Sequence, residues 1–280
     1  MSDAPIFIIG AARSGTKFLR DCLRADTRIA AVPYDINYIW RFGQPKCSDD
    51  QLSPLTLSPA QIRFIRRTTE GQARLAPGQI LLEKSVSNSL RVPFVDAIFP
   101  GARYVHLVRD GRDVALSAIK QWSAPPDYRR LVEKLRRIPI SSLPYVAWYI
   151  RNSILGRRKQ SGSHVNVWGP RYPGIRADVA SRTLAEVCAL QWQHSVETAR
   201  TDLAMLPQDS VFTVKYENLV SDRSVIAELA AGLCLDGNSI VNKWDATVVP
   251  KHNNVLDPSE ATTMSEIEAV IATTLSSFGY

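Results

Sequence analysis

The chain opens on Ile6-Phe7-Ile8-Ile9, four apolar residues in a row that end at Gly10. A short continuous run of this kind suits a strand buried on both faces of a parallel sheet. A helix follows from about Gly15 to Arg24, with Phe18, Leu19, Cys22 and Leu23 along one face. Ile80–Glu83 reads as another strand, followed by a helical pattern over Arg91–Phe99 that Pro100-Gly101 stops. Tyr104–Val108 reads as a strand and Gly111–Trp122 as its helix. Later, Asp178–Leu206 has a long helical pattern, Val211–Val214 is a strand and Ser221–Leu233 a helix. This alternation predicts an α/β fold of three layers, α/β/α, around a central parallel sheet.

Two stretches break the alternation. Residues 41–78 hold several Pro and Gly with one helix candidate over Pro59–Thr68, and residues 123–177 are rich in Pro, Gly, Arg and Trp. Both are expected as insertions on the ligand side of one domain spanning 1–280, because loops at the carboxyl ends of parallel strands carry function.

A 45% hydrophobic share over 280 residues leaves room for a sizeable core. The net charge of +7 favours an anionic small molecule, an anionic polymer or a membrane surface as partner. Cys22, Cys47, Cys188 and Cys234 are far apart with no C-x-x-C pair, which argues against a zinc site and a disulfide framework. Reduced, mostly packed thiols suit a cytoplasmic protein. Met1–Pro5 carries neither the basic nor the apolar region of a secretory leader. No stretch approaches the roughly 20 apolar residues that span a bilayer. Pro139 and Pro144 interrupt the apolar run from Ile138 to Ile150.

Candidate chemistry begins between the first strand and its helix, at Gly10-Ala11-Ala12-Arg13-Ser14-Gly15-Thr16-Lys17. Consecutive backbone N–H groups and a helix N-terminus make an anion site there, and Arg13 and Lys17 add positive charge. A Walker loop ends Gly-Lys-Ser/Thr, whereas Gly15 is followed here by Thr16 and then Lys17. The lysine-then-hydroxyl order that serves a nucleoside triphosphate and Mg²⁺ is missing. A glycine turn with solvated basic residues would produce the same local pattern.

Further motifs reduce the weight of that bland reading. The segment Ala12–Leu19 is similar to the 5′-phosphosulfate loop of sulfotransferases that use 3′-phosphoadenosine-5′-phosphosulfate (PAPS). Arg103–Ser117 resembles that family's 3′-phosphate motif, in which an arginine ends a strand and a serine follows eight residues later, as Arg109 and Ser117 do here. Val214–Val220 resembles the segment whose tyrosine, here Tyr216, lies near the adenine, and Leu82-Glu83-Lys84-Ser85 resembles the one that sets a lysine beside the transferring group. Leu275–Tyr280 looks like the family's final helix.

The resemblance implies a P-loop NTPase-like fold and transfer of a sulfuryl group from PAPS to an acceptor hydroxyl, leaving 3′,5′-ADP, without a metal. It implies that Arg13, Ser14, Gly15, Thr16, Lys17 and Phe18 form the 5′-phosphosulfate site. Arg109 and Ser117 would bind the 3′-phosphate, and Tyr216 would lie by the base. Arg13 and Lys84 would act at the transferring group. The residues agree independently: a strand-end arginine and the 10–17 loop would face one crevice and hold two separated phosphates. The bland alternative is that Arg109, Asp110, Arg112 and Asp113 form surface ion pairs, which is expected for some of the last three and not for Arg109.

The proton acceptor is less plainly marked. Many members use a histidine two residues after the lysine, where this chain has Val86. Other branches use a carboxylate after the phosphate loop, a place that Asp35 occupies, although Asp is also a common cap and turn residue. Glu83, His106 and His194 are reserves, with packed roles the commoner expectation for each.

For the acceptor, eleven Arg and Lys stand between Arg129 and Arg176 against the single acid Glu133, with Tyr145, Trp148, Tyr149, Trp168 and Tyr172 among them. The mixture suits a saccharide or an anionic glycolipid, and equally a solvated basic face over packed aromatics. A Mg²⁺-dependent P-loop kinase and a nucleic-acid or other anion binder are the rival functions. The loop ending disfavours the first, and no nucleic-acid motif supports the second.

Overall fold

A computed structural model of the chain describes residues 4–44, 47–122, 167–248 and 258–280. Five strands, β1 (Ile6–Ile9), β2 (Ile29–Ala31), β3 (Ile80–Glu83), β4 (Arg103–Val108) and β5 (Val211–Lys215), form one sheet in the order β2-β3-β1-β4-β5. Every pairing is parallel, with Ile6 opposite both Leu82 and Arg103 and Val108 opposite Lys215. All five carboxyl ends therefore open on one edge. The connection after β1 runs towards β2 and the one after β4 runs the opposite way to β5, which puts the topological switch between β1 and β4.

Eleven helices are described: α1 (Thr16–Leu23), α2 (Asn37–Trp40), α3 (Pro59–Ala73), α4 (Val92–Ile98), α5 (Gly111–Trp122), α6 (Ile175–Ser181), α7 (Leu184–Leu203), α8 (Tyr216–Ser221), α9 (Arg223–Gly232), α10 (Gly237–Asp245) and α11 (Pro258–Ser277). Strand side chains alternate between two helical layers, as the pleat requires. Ile6, Ile8, Leu82, Val105 and Leu107 pack with Leu19 and Leu23 of α1 and with Ile226, Ile240 and Trp244 from α9 and α10. Phe7, Ile9, Leu81 and Tyr104 turn the other way, onto Trp40, Ile65, Val95 and Leu203. Phe7 is the centre of an aromatic group, with ring centroids 6.0 Å from Trp40, 5.2 Å from Phe99 and 5.9 Å from Tyr104. A third cluster joins Ala11 to α5, α7 and α11.

The sheet core follows the apolar runs of the sequence, and the expected three-layer parallel architecture is present. Two expected elements are different, and the first is the helical pattern over Asp178–Leu206, which is two helices. The Thr183 hydroxyl accepts the Glu186 N–H and the Glu186 carboxylate accepts the Thr183 N–H, so a capping box starts α7 and breaks the pattern. Similarly, Asp222 caps α9 through the Ser224 N–H, so the expected Ser221–Leu233 helix starts later, and the short α8 carries Tyr216.

The 41–78 stretch carries α3, which returns the chain from β2 to β3 and puts Ile65 into the second layer. Of the 123–177 stretch, residues 123–166 lie outside the described residues. Its end is tightly held. Gln191 donates to the carbonyls of Trp168 and Pro170, and the Arg171 N–H donates to Asp50. Cys22 and Cys188 are buried thiols, Cys47 is half-buried and Cys234 exposed. Among the described residues no helix is long and apolar enough to cross a membrane.

Candidate functional site

The loop after β1 passes very close to β4. A Cβ on Gly10 would lie 2.6 Å from the Leu107 carbonyl oxygen, so only glycine fits there. The chain then turns through Arg13 at φ 73° and Gly15 at φ 87°, left-handed conformations that suit the glycine and strain the arginine. This turn carries the backbone into the N-terminus of α1 at Thr16. Ser14 is fully buried and its hydroxyl has no protein partner. Arg13 and Lys17 are exposed cations beside it.

Arg109 leaves the end of β4 towards this loop. One guanidinium nitrogen donates to the Arg13 carbonyl at 3.2 Å and another to Asp113 at 3.2 Å, while the buried Nε has no partner. The guanidinium carbon lies 4.5 Å from the centroid of the Tyr216 ring, a cation–π stack. That ring also covers Gly15, where a Cβ would come within 2.3 Å of it. Arg13 reaches across to α5, its Nε donating to Ser117 Oγ at 2.9 Å. Four predicted site residues from four segments (Arg13, Arg109, Ser117 and Tyr216) thus converge on Gly15 and its loop.

Several groups fix this half of the site from behind. Trp192 of α7 donates its indole N–H to the Arg109 carbonyl at 3.0 Å. The Asp110 N–H donates to Glu217, whose other oxygen accepts the Tyr280 hydroxyl at 2.8 Å. Asp110 pairs with Arg112 at 2.7 Å, and Arg112 also meets Glu268. Surface ion pairing therefore accounts for Asp110 and Arg112 and, against expectation, takes in Arg109 as well, which pairs with Asp113 one helical turn on.

The ends of β2 and β3 form the other half. Asp35 accepts the Asn37 N–H on one carboxylate oxygen and the Val86 N–H on the other, each at 3.0 Å. In return Ser85 Oγ accepts the Ile36 N–H at 3.1 Å, so two cross-links clamp the Asp35 turn against the Lys84–Val86 turn. Lys84 is half-buried between Glu83 and Ser85.

Glu83 is wholly buried and accepts the Ser85 hydroxyl at 2.5 Å and the Asn88 amide at 2.8 Å. Asn88 continues the chain of bonds to Arg91, Arg91 to Asn37, and Asn37 to Asp50. Asp50 also receives Arg41 at 2.8 Å and the Ser87 hydroxyl at 2.9 Å. Burial works against ionisation of Asp50, yet Arg91, the Asn37 and Arg171 hydrogen bonds and Arg41 outweigh it and hold the carboxyl below its ordinary value. Glu83 has no such direct counter-ion. Burial pushes it from 4.5 up to about 7, with the Asp35 charge adding to the shift and the Ser85 and Trp40 hydrogen bonds opposing it.

The two halves sit side by side because β3 and β4 flank β1. A sequence model of the Sulfotransferase family matches residues 5–167, which include the phosphate loop, Asp35, Lys84, Arg109 and Ser117. The chain belongs to the sulfotransferase family. Solved sulfotransferases share its P-loop-like fold. STF9 of Mycobacterium avium aligns at 12% identity with a TM-score of 0.55, covering 100% of this chain and 78% of its own. STF1 of Mycobacterium tuberculosis aligns at 12% identity and 0.52, covering 98% and 77%. At such identity the likeness is one of fold. No curated protein matches the chain.

Within this sulfotransferase the remaining candidates are packed. Phe18 is half-buried against the first core layer, behind the loop. His106 is buried within β4, and burial with the nearby Arg200 charge pushes its imidazole down to about 4. His194 stacks on the buried Tyr172 with centroids 4.3 Å apart, and burial lowers it too. Trp168 packs against the third cluster. Tyr172 is buried, whereas Trp168 is half-buried. Sequence reasoning missed Glu217, Asp50 and the Asn37–Arg91 link. Glu217 follows Tyr216 inside the Val214–Val220 motif, and the Asn88-x-x-Arg91 spacing hints at the Asn88–Arg91 bond of the network.

The shift of Glu83 has a consequence for stability. The folded state binds this proton more tightly than the unfolded chain, so the resulting stabilisation is whole below pH 4.5 and is lost as pH rises through about 7. Urea unfolding between pH 4.5 and 8 should show wild type losing about 3 kcal/mol relative to Glu83→Gln. Asp202, pushed up to about 6 by burial, tilts both proteins alike. Parallel pH profiles for the two proteins would contradict the assignment.

Proposed function

We propose that this sulfotransferase moves a sulfuryl group from PAPS to an acceptor hydroxyl, releasing 3′,5′-ADP, in a cytoplasmic setting and without a metal. One observation carries the reading. Arg13, Arg109, Ser117 and Tyr216 surround a loop whose buried Ser14 hydroxyl and neighbouring Arg109 Nε have no protein partner. Buried polar atoms are ordinarily satisfied, and ligand oxygens at both places would satisfy these. The residues present therefore fit a ligand with two separated anionic groups.

In this reading the backbone N–H groups of Ser14, Gly15 and Thr16, with Arg13 and Lys17, hold the 5′-phosphosulfate, and Phe18 supports the loop from the core side. Arg109 and Ser117 receive the 3′-phosphate, and Tyr216 flanks the base. PAPS, when bound, supplies a sulfuryl group activated by its phosphate leaving group. Arg13 and Lys84 place positive charge where negative charge grows in the transition state, the contribution that matters most in such transfers. Asp35 takes the acceptor proton. Each of its oxygens accepts one backbone N–H and keeps a lone pair for the incoming hydroxyl. A saccharide or anionic glycolipid acceptor rests on the cations and aromatics of 129–166, outside the described residues.

Two measurements test the reading. Calorimetric titration should show Arg109→Ala binding 3′,5′-ADP about tenfold to a hundredfold more weakly than wild type, the loss expected for a charge-assisted contact. Equal wild-type affinity for 3′,5′-ADP and 5′-AMP would remove the 3′-phosphate site. In a PAPS-dependent transfer assay with EDTA present, Asp35→Asn should retain 3′,5′-ADP binding while kcat falls about 10²-fold, the scale of general-base loss. A near-normal kcat would take the proton-accepting role away from Asp35.

A further inference from the structure

Glu83 is a carboxylate that the mechanism above does not use, held where it cannot touch an acceptor. It closes β3, opposite Phe7 in the sheet, and is 0% exposed. Its carboxyl nevertheless reaches both halves of the Asp35–Lys84 clamp. One oxygen accepts the Ser85 hydroxyl at 2.5 Å and lies 3.5 Å from the Trp40 indole nitrogen, and the other accepts Asn88. Ser85 in turn accepts the Ile36 N–H, next to Asp35, while Asp35 accepts the Val86 N–H. Glu83 thereby binds the residue after Lys84 and, through it, the residue after Asp35.

The groups facing Glu83 explain why a carboxyl stands there. Asp35 approaches from the β2–α2 turn, Trp40 from α2, and Ser85, Asn88 and Arg91 from the turn after β3, with Arg41 and Asp50 behind Asn37. Three hydrogen-bond donors converge on two oxygens. An amide in that place presents one acceptor and two N–H groups, so a donor would meet a donor at Ser85 or Asn88. An apolar side chain would leave all three donors buried without a partner.

We infer that Glu83 is a positioning residue for sulfuryl transfer, whose carboxyl holds the Lys84 turn at a fixed distance from the Asp35 turn. The inference rests on the proposed reading of this site. The effect belongs to the chemical step, since the Arg13–Arg109–Ser117–Tyr216 half makes no hydrogen bond to Glu83.

The test is a double-mutant cycle on kcat at pH 8 with PAPS as donor, comparing wild type, Glu83→Gln, Lys84→Ala and the double variant, with 3′,5′-ADP affinity measured for each. Glu83→Gln alone should lower kcat about tenfold or more and change the 3′,5′-ADP Kd less than about threefold. Added to Lys84→Ala, it should cost less than about threefold, because residues that act as one unit are not additive. A residue that merely stabilises the fold would lower kcat equally in both backgrounds, and that result would overturn the inference, as would Glu83→Gln keeping at least half of wild-type kcat. Should Glu83→Gln fail to fold, Ser85→Ala cuts the same link and must show the same non-additivity. Wild type that neither binds 3′,5′-ADP nor transfers from PAPS would instead bring down the underlying reading, and the inference with it.

Discussion

At the centre of the molecule the loop after β1 is pressed against β4, with Gly10 so near the Leu107 carbonyl that no side chain could stand between them. That approach sets how far the loop lies from the end of β4, and so whether Arg109 can reach the Arg13 carbonyl and Arg13 can reach Ser117. The second glycine of the loop continues the same logic. Gly15 leaves room for the Tyr216 ring, and the Arg109 guanidinium lies over that same ring. Backbone, ring and guanidinium are thus packed together here, the first two contacts depending on the absence of a Cβ at Gly10 and Gly15.

The opposite half is organised by charge. Arg41, Asp50, Glu83 and Arg91 are all buried, and burying ions is costly unless partners and hydrogen bonds compensate. Compensation here is nearly complete for Asp50 and incomplete for Glu83 and for the unpartnered Arg91 nitrogen. Such a network adds little net stability compared with a well-packed apolar core, and its effect lies in fixing geometry. It ties the ends of β2 and β3 to Arg41, Asp50 and the segment at Arg171.

Four of the five strands, and the segments that bring Arg13, Arg109, Ser117 and Tyr216 together, were readable in the sequence because both depend on local order. Ile6–Ile9 and Tyr104–Val108 are buried on both faces and so are continuously apolar, and Arg109 and Ser117 are separated by a fixed count along one strand-to-helix unit. Features with weak or distant signals were not readable. β2 is only three residues long, Ile29-Ala30-Ala31, and two of them are alanine. The break at Thr183 contains neither Gly nor Pro, and its only mark is a threonine followed three residues later by a glutamate. The buried network joins Asn37 to Arg91 and Asp50 to Arg171, pairings that no spacing along the chain announces. Membership of the sulfotransferase family agrees with the motifs that were legible and adds the fold.

The two halves meet their most direct test in a crystal structure with 3′,5′-ADP bound. Arg13 donates to Ser117 at 2.9 Å, so two groups proposed for different ends of the nucleotide are bonded to each other. The expected structure has the 3′-phosphate on Arg109 and Ser117, the 5′-phosphate over Ser14–Lys17, and Arg13 released from Ser117. A nucleotide bound elsewhere, with the Arg13–Ser117 bond intact and the Ser14 hydroxyl still without a partner, would contradict it.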